Sequence, residues 1–264
     1  MQTSYETLKL EVREEHVLLV ALNRPEASNA LNTQMGRDML ELFSGLVAAP
    51  EPYRCVVLTG AGEKAFCAGG DLKERRGMTQ EAWQAQHAIF ERMTLSIVDC
   101  PIPIVAAVNG AAYGGGTELV GAADFAYASA NARFALTEVT LGIMPGAAGT
   151  QTLPRSVGPK RAKEIIFTGR PFSAAEAHAW GLVNRVTAPE ALLPETIETA
   201  LRISGNAPLS VRQAKKSVHY GMQMDLRTAM FFEIEAYNRL VDTEDRHEGV
   251  LAFNEKRKPV FKGR

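Results

Sequence analysis

Short apolar runs closed by turn residues recur early in the chain, at His16–Leu22, Arg54–Thr59 and Ile104–Val108. Uninterrupted runs of this length read as buried strands. Between the first two, Met35, Met39, Leu40, Leu42, Phe43 and Leu46 recur at helical spacing, which predicts an amphipathic helix over Thr33–Ala48, and Glu81–Val98 carries a second such pattern. Strands alternating with helices predict an α/β fold. From Ser173 onward the strand signals vanish, and Ser173, Ala174, Ala175 and Glu176 have the form of a capping box opening a helix. The last third is therefore expected to be helical. Asn206–Pro208 marks a boundary, with helices expected over residues 209–221, 225–241 and 244–254. Residues 1–205 then form a core that holds the site, and residues 206–264 a helical appendage. The chain has no internal repeat and no low-complexity tract.

Composition narrows the classes. A chain of 264 residues, 46% hydrophobic, can bury a large core. Its 29 basic residues nearly balance 30 acidic ones, so no overall field recruits nucleic acid or an anionic membrane, and an anionic ligand must be held locally. Cys55, Cys67 and Cys100 follow neither metal-ligand nor disulfide-framework spacing, so free thiols in a reducing compartment are expected. The polar start, Met1–Lys9, and the absence of any apolar run of roughly 18 residues make a cytoplasmic protein the expectation.

Two glycine loops stand out. Asn109–Leu119 (NGAAYGGGTEL) follows the Ile104–Val108 run, and Lys64–Leu72 (KAFCAGGDL) follows Arg54–Thr59. Glycines between a strand and a helix leave backbone N–H groups uncovered, as an oxyanion requires; they serve equally as tight turns that allow close packing. Gly60–Ala65 also fits a permissive dinucleotide fingerprint. It opens no helix directly, and no acidic residue ends a second strand about 20 residues on, which argues against a dinucleotide. Glu118 and Glu138 each sit among small and apolar residues, where a carboxylate is costly unless paired or used. Together they could run acid and base chemistry. Singly, Glu118 could complement a helix N-terminus and Glu138 could be an exposed strand-end residue. None of the five histidines lies in a nucleophile or metal pattern.

Taken in order, Asn23–Asn32 (NRPEASNALN), Ala65–Leu72, Asn109–Leu119, Leu136–Gln151 (LTEVTLGIMPGAAGTQ), Gly169–Val183 and Ala252–Arg257 (AFNEKR) resemble the hallmark segments of the enoyl-CoA hydratase/isomerase, or crotonase, family. The likeness runs from about Leu8 to the end of the chain. It implies a crotonase-like spiral of ββα units with a helical C-terminal region that supports a homotrimer or a dimer of trimers. It implies an acyl-CoA thioester as substrate, with coenzyme A part of that substrate and neither a separate cofactor nor a metal. The resemblance places the thioester oxygen on the N–H groups of Gly70 and Gly115 and the two hydratase glutamates on Glu118 and Glu138. It also implies a coenzyme A site that takes in Arg24, Ala27, Ala68, Asp71, Leu72 and Lys73. Phe253 and Lys256 would reach the nucleotide end, in an oligomer from a neighbouring subunit.

Isomerases, carnitinyl-type dehydratases and hydratase-lyases use the same scaffold, but keeping both glutamates favours hydration. Asp71–Arg75, Gly221–Leu226 and Glu248–Arg257 look similar to the methylglutaconyl-CoA hydratase branch. Some relatives there bind RNA through a lysine-rich helix, whereas residues 34–47 here hold Arg37 as their only basic residue. No nucleic-acid partner and no membrane are expected. The acyl pocket is expected to draw on Glu74–Glu91 and on the helical C-terminus.

Overall fold

The computed structural model describes residues 4–264; the first three residues of the polar start lie outside them. The elements run β1 (Leu8–Arg13), β2 (Val17–Leu22), α1 (Thr33–Ala48), β3 (Cys55–Gly60), β4 (Ala65–Cys67), α2 (Leu72–Arg75), α3 (Gln80–Val98), β5 (Ile104–Val108), β6 (Ala111–Tyr113), α4 (Gly115–Ala122), β7 (Phe125–Ser129) and β8 (Arg133–Ala135). They continue as α5 (Gly149–Val157), α6 (Pro159–Thr168), β9 (Phe172–Ser173), α7 (Ala174–Trp180), β10 (Arg185–Thr187), α8 (Pro189–Ser204), α9 (Pro208–Gly221), α10 (Leu226–Val241) and α11 (Glu244–Glu255).

Two sheets share the strands. One runs β1-β2-β3-β5-β7-β10 and the other β4-β6-β8-β9. Each of β3, β5 and β7 hands the chain to the next strand in the smaller sheet, and equivalent strands of successive turns pair in parallel. This is a spiral of ββ-helix units, as the fold class implied. The three sequence-predicted strands match β2, β3 and β5 to within a residue. They were visible because they are buried on both faces. The short strands β4, β6 and β8 hide inside glycine loops.

One expectation fails. Strands do not end at Ser173, because Arg185–Thr187 pairs in parallel with β7 as β10. Three residues are too few to show a period.

Helix α1 sends Met35, Met39, Leu42, Phe43 and Leu46 fully into the core, where each such side chain contributes roughly 1.5–3 kcal/mol by leaving water. Its N-cap Asn32 accepts from the Met35 N–H. Helix α8 covers the other face of the larger sheet through Leu192 and Ala200, packed with Val57, Val105 and Tyr127. The capping box at α7 forms as read, with Ser173 Oγ accepting from Glu176 N–H and the Glu176 carboxylate from Ser173 N–H. The three cysteines are buried, free thiols.

The C-terminal helices begin and end within two residues of their sequence-predicted limits. Polar contacts hold them to the core. Arg54 donates to Phe261 O in the tail beyond α11, and Lys215 Nζ of α9 to Ile102 O and the Asp124 carboxylate. Much of their apolar surface stays open, with Met222 79%, Leu226 77% and Tyr237 67% exposed, and Ala236 is the one buried residue of α10.

Candidate active site

The loop after β4 and the start of α4 meet over one cavity of about 410 Å³. Leu31 straps the first loop. Its N–H donates to Gly69 O at 2.8 Å, and its carbonyl accepts from Asp71 N–H at 2.9 Å. In this parallel bridge the N–H of Gly70, between them, faces away from the strap. Gly69 has φ +88°, and a Cβ there would stand 2.7 Å from Tyr113 O and 3.3 Å from Gly115 N. Only glycine lets the loops approach so closely.

Gly114, at φ +50°, caps α4, so the N–H of Gly115 is one of the donors a helix start leaves over. Gly70 and Gly115 both line the cavity, and among the described residues neither donates its N–H to a protein acceptor. Two unpaired N–H groups converging on one cavity can hold an oxyanion.

Glu118 sits one turn beyond Gly115 and is 4% exposed. Its Oε1 accepts from Ala147 N–H and Gly149 N–H, each at 2.8 Å. Burial holds its carboxyl above the ordinary range on balance, against the opposing pull of these two donors. Glu138, just after β8, is half-buried, and its Oε2 has no hydrogen-bond partner. Burial, helped by the Glu118 charge, lifts its pKa to about 7, against the opposing pull of Arg75. One carboxylate is thus held by backbone donors, and the other favours its protonated form near neutrality. A Cβ on Gly114 would stand 2.9 Å from Glu138 Oε1, which places Glu138 against the oxyanion loop.

The other sequence-predicted residues divide. Ala68 and Leu72 line the cavity. Arg24 and Asp71 do not; they form an ion pair at 3.0 Å, Arg24 also donates to Ala30 O, and Asp71 caps α2. They bind residues 23–32 to the loop after β4, and Asn29 binds the same segment to the chain around β4 by donating from Nδ2 to Ala61 O and Ala65 O. Ala27 lies in the short turn just before Asn29. Lys73 is exposed beside Leu72. Phe253 and Lys256, on and after α11, are exposed and do not line the cavity of their own chain.

The Gly60 turn holds no free phosphate cradle, because Asn109 Oδ1 accepts from Gly60 N–H while its Nδ2 donates to Gly60 O and Gly62 O. The Glu74–Glu91 segment supplies cavity walls through Glu74's neighbour Arg75 and through Trp83, His87 and Phe90. The expected contribution of the C-terminal helices is absent, since no residue after Ala147 lines the cavity of a single chain. Sequence reasoning did not single out Arg75, or Ala147 and Gly149 as donors to Glu118. The last two lie in a quoted motif, but nothing in residue type marks a backbone donor.

Comparison with known proteins agrees with this geometry. The family profile described as Enoyl-CoA hydratase/isomerase matches residues 12–264. A crotonyl-CoA hydratase of Syntrophomonas wolfei is 40% identical over 98% of both chains. An (E)-benzylidenesuccinyl-CoA hydratase of Thauera aromatica is 41% identical over 94% of this chain and 96% of its own. The crystal structure of an enoyl-CoA hydratase from Bacillus anthracis superposes with a TM-score of 0.96 at 43% identity, covering 98% of this chain and all of its own. With the match spanning nearly the whole chain, both sheets and the cavity between the two glycine loops, the protein belongs to the enoyl-CoA hydratase/isomerase family.

Proposed function

We propose that this protein is a 2-enoyl-CoA hydratase acting on a short or branched acyl chain. The thioester oxygen sits between the N–H groups of Gly70 and Gly115, each worth on the order of 3 kcal/mol to the enolate-like transition state. Glu118, held as the base by Ala147 and Gly149, takes a proton from water as its oxygen attacks C3, and Glu138 gives its proton to C2. Net, one water is consumed: OH goes to C3 and the Glu138 proton to C2, and the proton left on Glu118 is exchanged through solvent to reload Glu138 before the next turnover. No electrons change hands, so the reaction calls for no cofactor beyond the coenzyme A of the substrate.

The supporting observation is the placement of two buried or half-buried carboxyls, one held by two backbone donors and the other with an unbonded oxygen, at the cavity that also holds two unpaired N–H donors. An isomerase needs one such carboxyl, so the second favours hydration. Arg24, Ala27, Ala68, Asp71, Leu72 and Lys73 form the coenzyme A side, Lys73 by its charge and the Arg24–Asp71 pair by shaping the loop. Phe253 and Lys256 serve a neighbouring subunit of a homotrimer or dimer of trimers; the open apolar face of α9 and α10 supports that assembly.

Relatives at 40% and 41% identity are named for a crotonyl and for a benzylidenesuccinyl thioester, so identity does not assign the acyl group. The test is loss of enoyl-thioester absorbance on crotonyl-CoA, methylglutaconyl-CoA and longer enoyl-CoAs, ranked by kcat/KM. Double-bond migration without any hydrated product would refute the proposal.

A further inference from the structure

Each hydration leaves a proton on Glu118 and takes one from Glu138, so a proton must pass between a buried base and solvent before the site acts again. Glu118 offers that proton little exit of its own, being buried with Oε1 committed to Ala147 N–H and Gly149 N–H. Among the described residues that line the cavity, Arg75, His87, Glu118 and Glu138 are the ones with acidic or basic side chains. A guanidinium does not release its proton in a protein, and the two glutamates are the reacting pair. His87 is left, and an imidazole is the side chain that takes up and gives up protons near neutral pH.

His87 joins the cavity to the surface. On α3, its side chain is 40% exposed, and its Nε2 lies 3.2 Å from Oε1 of Glu91, one turn on and 56% exposed. The inner side of the ring meets the loop that holds Glu118. A Cβ built on Gly146 would stand 2.7 Å from His87 Cε1 and 3.4 Å from Nε2, so the absent side chain is what lets the imidazole lie there. The next residue, Ala147, donates to Glu118.

Through these contacts the imidazole stays within about 10 Å of the Glu118 carboxylate, a gap that a line of at most about three waters spans at ordinary hydrogen-bond lengths. The cavity of about 410 Å³ has room for such a line. Electrostatics agree with the proximity. Burial raises the Glu118 carboxyl, and the two backbone donors and then the charge of a protonated His87 oppose it. A surface pair four residues apart on a helix would need neither the opening at Gly146 nor a place in the cavity wall.

We propose that His87, held by Glu91, is the proton relay of the site, carrying the proton of Glu118 to solvent after each turnover. This rests on the hydratase reading and supplies the path that its proton balance calls for. Glu118 gives its proton to water in the cavity, the imidazole takes one from that water, and the imidazolium releases one to bulk water beside Glu91. Glu138 regains its proton from water. Only bonds to hydrogen break and form, so no oxidant or other reactant enters.

The relay works after product release, so its loss lowers kcat and KM together and leaves kcat/KM near the wild-type value. The test follows hydration of the enoyl-CoA with the highest kcat, in dilute and in concentrated buffer, by the wild-type oligomer, His87→Ala and His87→Gln. In dilute buffer both variants should lose about tenfold or more in kcat. Added imidazole should restore His87→Ala in a saturable way, while wild-type kcat responds to neither buffer nor imidazole. Wild-type kcat for His87→Gln in dilute buffer overturns the relay. So does a loss in His87→Ala that extends equally to kcat/KM and that imidazole does not restore, which would make His87 a packing residue.

Double-bond migration in place of hydration would refute the hydratase reading and still test the relay. In deuterium oxide the wild type should then carry solvent deuterium into the migrated product, and His87→Gln should keep more of the substrate's own hydrogen. Equal retention overturns the relay alone, and turnover of neither kind overturns both.

Discussion

Glu138 should cost stability as pH rises, and Glu138→Gln should remove that cost while crippling turnover. The carboxyl is half-buried, with Oε2 unpaired and the Glu118 charge nearby, and its pKa rises from 4.5 to about 7. A raised carboxyl pKa means that the folded state binds more protons than the unfolded state between these two values. Stability from this group is therefore complete below pH 4.5, falls through the window and levels off above about 7. At 1.36 kcal/mol per pH unit the full cost is about 3 kcal/mol. The carboxyl is partly open to the cavity, so solvent screening reduces this to about 1–2 kcal/mol. Glutamine has the same shape and does not titrate.

Urea unfolding of both proteins at one protein concentration, at pH 5 and pH 8, reads Glu138 together with its coupling to Glu118, because the titrating groups not coupled to Glu138 cancel between them. The variant's stability relative to wild type should improve by about 1–2 kcal/mol from pH 5 to pH 8. A gap that stays constant would show that Glu138 titrates near an ordinary value, and the assignment of Glu138 as the protonated partner would fall with it. Turnover gives the matching signature. Wild-type kcat/KM should decline above pH 7, where the acid form is lost.

The remaining predictions are independent of that one. Glu118→Gln should keep the fold and reduce kcat at least about 100-fold with a much smaller change in KM; near-normal turnover on every enoyl-CoA would remove it as the base. Lys73→Ala should raise KM and weaken its dependence on salt, so an unchanged KM at low ionic strength would exclude Lys73 from the coenzyme A side. Gly69→Ala meets both φ +88° and a backbone oxygen 2.7 Å away. Thermal unfolding should show a loss of about 1–3 kcal/mol, together with reduced kcat. Light scattering at micromolar concentration should show trimers or hexamers; a fully active single species of 28.7 kDa would refute the assembly.

The sequence by itself determined the elements whose signal is periodic or fully apolar. The α1 spacing, the strands β2, β3 and β5, the capping box at α7 and the three C-terminal helices were legible because burying one face, or both, dictates residue type position by position. It also nominated Glu118, Glu138 and the two glycine loops, since carboxylates among apolar neighbours and clustered glycines are rare enough to notice.

Only the tertiary structure decided what these residues are for. Leu31 turns the Gly70 N–H toward the cavity from a distant loop, and backbone donors at Ala147 and Gly149 fix Glu118 across 29 and 31 positions of chain. Asn109 fills the turn that imitated a dinucleotide site, and Arg24 ties residues 23–32 to the loop that carries Asp71. Backbone N–H groups carry no residue identity, and an unpaired guanidinium such as Arg75's differs from a solvated one only in what surrounds it. Short strands such as β10 likewise exist because a neighbour offers hydrogen bonds, a fact that three residues cannot announce on their own.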